Sequence, residues 1–199
     1  MKIIVVGGTG TVGTAVVNEL RKDHNIIVAG HESGDVKVDI SDSASIEKMY
    51  QKVGAFDAVI ATTGKLHFGP LDKMTAENCY VGLNSKLMGQ VNLVLLGLKY
   101  ISDGGSFTLT SGILSQDPIR FGSSAAMVNG ALEAFAKGAA IEMPRGIRIN
   151  VVSPTVLTES LDKYADYFKG FESVPAARVA LAFRKSVDGA QTGQTYRVW

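Results

Sequence analysis

The chain opens on a short apolar run, Ile3-Ile4-Val5-Val6, that ends in glycines. A β-branched run of this length, bounded by turn residues, reads as a buried strand. Behind it Val12, Val16, Val17 and Leu20 recur at helical spacing, which predicts a helix over 12–22 with one apolar face. The alternation then repeats. Further strands are predicted at 26–29, 36–38, 58–61, 106–110 and 147–152, with a closing edge strand at 195–198. Helices are predicted at 43–53, 123–143 and 176–187, and over most of 75–100, with a break near Gly82-Leu83-Asn84. Ser43 is the expected N-cap of its helix. Pro144 and Gly146 stop the long Ala-rich helix.

Strands that alternate with helices demand right-handed crossovers and therefore a mainly parallel sheet with helices on both faces. The expected fold is α/β, a single Rossmann-like, doubly wound domain over 1–199. The longest irregular stretch is 155–175, where Tyr164, Tyr167, Phe168 and Phe171 stand among charged residues. It reads either as a lid over a pocket or as a pair of packed surface helices.

Composition narrows the function more than the fold. Of 199 residues, 46% are hydrophobic and 20% charged, enough for a sizeable core. The formal net charge is +1 and no long Lys/Arg run occurs, which excludes a strong footprint for nucleic acid or anionic membrane. One cysteine, Cys79, makes neither an internal disulfide nor a thiolate metal cage, and is expected as a small buried residue on a helix. The three histidines are scattered without ligand spacing, so no metal is expected. No Gly-x-Ser-x-Gly elbow supports acyl hydrolysis. Four apolar residues before the first glycine are too few for a signal peptide, and no run approaches the ~20 residues of a membrane span. A cytoplasmic location is expected.

The candidate chemistry starts at Gly7-Gly8-Thr9-Gly10-Thr11-Val12-Gly13. The glycine spacing follows a strand and opens a helix, the context in which backbone closely approaches a pyrophosphate. Free N–H groups and the positive end of the helix dipole then hold the anion. Gly7, Thr9, Gly10, Thr11, Val12 and Gly13 are therefore expected to bind a dinucleotide. After the second strand, where NAD enzymes often carry an acid for the ribose, stands Ala29-Gly30-His31-Glu32-Ser33. With Gly30 in that place, His31 and Ser33 are available to a 2′-phosphate, which favours NADP(H). Glu32, if it points inward, favours NAD(H) instead.

Several further segments resemble the short-chain dehydrogenase/reductase family. Asp39-Ile40 is similar to the family's adenine-contacting Asp-hydrophobic pair. Ala61-Thr62-Thr63-Gly64 stands where the family has Asn-Asn-Ala-Gly. Thr110-Ser111-Gly112 resembles the segment that carries its catalytic serine. Arg145 to Pro154 resembles the approach to its Pro-Gly motif, with Thr155 in place of the glycine. Ala131-Leu132-Glu133 fits its long sixth helix, and Gln191-Thr192-Gly193-Gln194 fits its C-terminal region. The resemblance implies cofactor contacts from Asp39, Ile40, Thr62, Thr63 and Gly64, and from Pro154 and Leu157. It also implies a homo-oligomer built on the helices at 85–100 and 123–143.

The departures fall on the proton relay. Aligned through Ala131-Leu132-Glu133, the family's Tyr and Lys positions hold Ala125 and Asn129, and its helix-four Asn falls on Lys86. Neither alanine nor a neutral amide titrates usefully. Ser111 remains, and is expected to hold a substrate carbonyl. Lys86 is expected to replace the missing lysine, its pKa lowered by a dry pocket or a cationic neighbour until it gives up a proton near neutrality. Tyr80, Tyr164 and Tyr167 are alternative phenols, and His67 is expected in a surface loop. Two readings stay open. One is an NADP(H)-preferring oxidoreductase, with NAD as the other candidate, acting on a small carbonyl or alcohol through a non-standard relay. The other is a catalytically silent NAD(P)-binding sensor or scaffold.

Overall fold

The first strand of the sheet, β1 (Lys2–Val6), runs up its centre and is buried from Ile3 onward. Its side chains alternate between two apolar layers, as a pleated strand requires. Ile3 and Val5 join Val16, Val17 and Leu20 of α1 (Thr11–Leu20) together with Val179, Ala180 and Phe183 of α7 (Ala176–Asp188). Ile4 and Val6 face the opposite layer. There Ile46, Met49 and Tyr50 of α2 (Ser43–Val53), Leu93 and Val94 of α4 (Met88–Gly97), and Val128, Leu132 and Ala136 of α5 (Ser123–Ala139) close the core. The computed structural model describes all 199 residues, Met1–Trp199.

The remaining strands are β2 (Asn25–Gly30), β3 (Val36–Lys37), β4 (Phe56–Ala61), β5 (Ile101–Thr110), β6 (Arg148–Pro154) and β7 (Thr195–Val198). The order is β3-β2-β1-β4-β5-β6-β7, and every pairing is parallel. The expected doubly wound α/β fold is therefore present, and all seven strands stand within a few residues of their predicted places. The order in which strands are added to the sheet reverses between β1 and β4, which opens a crevice at their C-terminal ends.

Four local expectations are corrected. The cap of α2 is Asp42 rather than Ser43: Asp42 is still extended and accepts from the Ala44 N–H at 2.9 Å, whereas Ser43 is already helical. The long helix ends at Ala139, before Met143. Ile141 and Glu142 tighten into three-residue turns on Gly138 and Ala139, ahead of a proline that disfavours helix in the residue before it. β5 begins at Ile101, and its pairing with β4 shifts register between Phe56 and Ala58. Cys79 is half-buried, its Sγ 3.5 Å from Met74 Sδ.

The predicted break near Gly82-Leu83-Asn84 is a widened turn. α3 (Ala76–Gly82), capped by Thr75 and Asn78, runs through a π turn at Leu83–Leu87 into α4. The segment 155–175 forms a short helical turn at Thr158–Ser160 and α6 (Leu161–Tyr164). It is closed at its neck by the Leu157–Val174 bridge. No helix is long and apolar enough to cross a membrane.

Candidate active site

The glycine turn leaves β1 with Gly7 at φ +82°, a conformation that side chains disfavour. Gly10 N–H donates to Gly7 O at 3.0 Å, and α1 starts when Thr14 N–H reaches Gly10 O at 2.8 Å. A Cβ added at Gly13 would lie 2.1 Å from Gly7 O, so only glycine lets the helix sit this close to the turn. The first N–H groups of α1, at Thr11, Val12 and Gly13, have no helical partner and face the crevice end. No side chain caps them.

Beside this turn lies a cavity of 580 Å³. Gly7, Thr9 and Gly10 line it at one edge, and Gly30, His31, Glu32, Ser33, Asp39 and Ile40 line one end. Thr62, Thr63, Gly64, Lys65 and Ser85 line the other. The glycine turn, the His31–Ser33 segment, Asp39-Ile40 and Thr62 to Gly64 are thus brought together as expected. Thr11, Val12 and Gly13 stand outside the lining, as do Pro154, the last residue of β6, and Leu157 beyond it. The orphan N–H groups, the close-packed glycines and the length of the crevice fit a dinucleotide.

Asp39 is held in place rather than free. Its carboxylate accepts from Ser41 N–H at 2.9 Å and from Ser41 Oγ at 2.5 Å, and these bonds hold its pKa below the usual carboxylate value. His31 Nε2 stands 3.7 Å from the other carboxylate oxygen, and both side chains are well exposed. A Cβ added at Gly30 would meet Ser33 O at 2.4 Å, so no acidic side chain fits there.

At the far end, Gly64 takes φ +138° because the backbone of Lys86 passes beneath it; an added Cβ would lie 2.6 Å from Lys86 Cα. Lys86 belongs to the π turn and is only 8% exposed. Its Nζ donates to Ser111 O and to Asn129 Oδ1, each at 2.8 Å. Burial lowers the ammonium pKa to about 8, against the opposing pull of the Glu133 carboxylate. The lysine and the amide have exchanged helices relative to the pattern the sequence resembles: Lys86 comes from α4's approach and Asn129 from α5.

Ser111, 3% exposed, follows β5, and its N–H is tied to Val152 O at 3.0 Å. Its hydroxyl donates to Glu133 Oε1 at 2.8 Å. Ser115 Oγ donates to the same oxygen at 2.7 Å, and Gln116 Nε2 to Oε2 at 3.3 Å. The proton expected to hold a carbonyl is therefore engaged by a carboxylate. The sequence reading used Glu133 only as an alignment landmark; its signal was a position one helical turn beyond Asn129, on the same face. Gln90 was also missed. Fully buried in an apolar helix, it accepts from Thr110 N–H at 2.8 Å and donates to Thr110 O at 3.0 Å, fixing the end of β5. A lone amide in an apolar run was its signal.

Ala125 is wholly buried, packed with Ile113 and Leu114 beneath Phe168 and Phe171. None of the six tyrosines lines the cavity. Tyr50 donates to Leu93 O and Tyr100 to Glu47, while Tyr80, Tyr164 and Tyr167 are exposed. His67 is half-buried in the loop after β4, and His24 pairs with Asp188 at 3.0 Å.

Residues 7–194 match the family model described as enoyl-(acyl carrier protein) reductase. The chain belongs to the short-chain dehydrogenase/reductase family. A solved structure of the Listeria innocua protein lin1944 is 58% identical over 100% of both chains, with a TM-score of 0.99. A small-chain dehydrogenase solved in complex with NADPH is 27% identical, covers 100% of this chain and 96% of its own, and has a TM-score of 0.88. A curated oxidoreductase of Sarocladium schorii is 30% identical over 146 residues, 68% of this chain; that match spans 57% of the relative's length. The short-chain dehydrogenase/reductase scaffold is thus retained.

Proposed function

We propose that the chain is an NAD(P)(H)-dependent oxidoreductase that prefers NADP(H) and interconverts a small alcohol and its carbonyl compound. The observation that carries this reading is the glycine-lined cavity, whose lining includes Gly64, packed against the backbone and stem of Lys86. Gly7 to Gly13 hold the pyrophosphate, Asp39-Ile40 and Thr62 to Gly64 flank it, and Pro154 and Leu157 close over it from β6. The dinucleotide supplies the hydride chemistry. Lys86 provides a positive charge to the substrate oxygen, and Ser111 contacts that oxygen from the other side. The match to NADPH-binding and oxidoreductase relatives supports the cofactor class.

The preference for the 2′-phosphate form rests on the missing acid at Gly30 and on His31 and Ser33 at the same end of the cavity. Calorimetric titration with NADPH, NADP⁺, NADH and NAD⁺ tests it. We expect the phosphorylated pair to bind at least about tenfold more tightly, a difference of about 1.4 kcal/mol. Equal affinities refute the preference, and no binding refutes the function.

One observation favours a silent binding protein instead. Ala125 is sealed under Ile113 and Leu114, and neither Ser111 nor Lys86 reaches the cavity surface. Dinucleotide binding without turnover of any small alcohol or ketone supports that reading.

A further inference from the structure

The proposed function leaves the substrate proton without a route, since no tyrosine is present to take it. The hydrogen bonds around Ser111 supply one. A serine hydroxyl has one proton to give and lone pairs to receive with. Here the proton is committed inward, to Glu133 Oε1 at 2.8 Å. Toward any substrate admitted beside it, Ser111 Oγ therefore offers only lone pairs, the polarity that suits an alcohol. Glu133 Oε1 also receives Ser115 Oγ at 2.7 Å. Its second oxygen points outward, to Gln116 Nε2 at 3.3 Å in an exposed contact.

We propose that Glu133 is the terminal base of a proton relay that runs from the substrate hydroxyl through Ser111 to solvent. This inference rests on the proposed function and adds the path of the proton. In alcohol oxidation the substrate O–H bond breaks and its proton joins Ser111 Oγ. The Ser111 Oγ–H bond breaks in the same movement, and that proton joins Glu133 Oε1. The substrate C–H pair leaves as hydride for the oxidised nicotinamide dinucleotide, and the former O–H pair becomes the second bond of the carbonyl. Glu133 then loses its proton to water past Gln116. Reduction runs the same path backwards. Lys86 keeps its proton throughout and stabilises charge on the oxygen.

The relay is tuned by every element around it. Lys86 comes from the π turn, and Ser111, Ser115 and Gln116 from the segment after β5. Lys137 lies one turn further along α5. Arg197 of β7 approaches through Gln116, its Nη2 donating to Gln116 Oε1 at 3.3 Å. Glu133 acts through Ser111 and touches no substrate atom, so it is a positioning and relay residue.

The test compares wild type with Glu133→Gln, Glu133→Ala and Ser111→Ala. Cyclohexanol and NADP⁺ are the probes. We expect Glu133→Gln to lower kcat for cyclohexanol oxidation by at least about 10²-fold, the scale of general base catalysis, with NADP⁺ affinity nearly unchanged. Small carboxylates, formate and acetate, should restore turnover to Glu133→Ala, with rates that rise with carboxylate basicity. A merely structural carboxylate would not give that dependence. In the free protein, ¹³C-lysine NMR should show the Lys86 midpoint near 8 in wild type and lower in Glu133→Gln, where the opposing carboxylate is gone. Glu133→Gln with wild-type turnover, or an unmoved Lys86 midpoint, overturns the relay and leaves the oxidoreductase standing. Wild type that binds no NADP⁺ overturns both.

Discussion

Lys86 concentrates the chemistry of the site in one side chain. Its folded pKa of about 8 lies below the reference of 10.5, because burial penalises the ammonium. The folded state therefore releases the proton first, and folding stability rises with pH between about 8 and 10.5 and is constant below that window. The gap corresponds to about 3 kcal/mol across the window. Lys86→Met should abolish this slope, as measured by denaturant unfolding at successive pH values. In turnover the sign is opposite. The cation is lost as pH rises through about 8, so wild-type kcat should fall there, whereas Lys86→Met should be slow at all pH values.

A second residue-scale prediction concerns Gly13. Because an added Cβ meets backbone 2.1 Å away, nothing flexible can yield. Gly13→Ala should cost about 1–3 kcal/mol of stability, as overpacking does, and should weaken dinucleotide binding measured by calorimetry.

At the scale of elements, the π turn decides which residues face the site. It widens the helix by one residue, so that Lys86 and Gln90 both turn inward while Ser85 Oγ receives the Lys65 N–H at 3.0 Å. The segment 157–174 is the other deciding element. Phe168 and Phe171 meet edge to face at 5.3 Å and rest on the Ala125 cluster. The Glu159 carboxylate caps α7 through the Ala176 N–H at 2.9 Å. The neck is thus fixed and the aromatic tip covers Ile113, Leu114 and Ala125. Phe168→Ala with Phe171→Ala should change substrate KM more than dinucleotide affinity, as read by steady-state kinetics beside calorimetry. Equal effects on both would show that the segment is no lid.

For the whole molecule, α4 and α5 present an unusual outer surface. Met88, Leu95 and Met127 are exposed there. Cβ atoms added at Gly130 and Gly138 would meet nothing within 4 Å. We expect these faces to pair in a homo-oligomer, measured by light scattering after size exclusion. Gly130→Ala should raise helix stability by up to about 1 kcal/mol in a monomer but weaken a closely packed dimer. A monomer with wild-type sequence refutes the pairing.

Period and punctuation alone determined the layers of this protein. Apolar runs bounded by glycine became parallel strands, and helical spacing in α1 marked the face that buries. The dinucleotide turn was legible for the same reason, since its function depends on local backbone freedom at Gly7 to Gly13. The proton chemistry was not local. Asn129 and Glu133 share one face of α5, but Lys86 comes from a π turn and Ser111 from a strand end, and no spacing in the chain relates them to that face. Only the tertiary structure gave the Ser111 proton to Glu133 and placed the Lys86 ammonium against Asn129. Hydrogen-bond polarity and desolvation depend on what packs across the site, and the order of residues does not contain that.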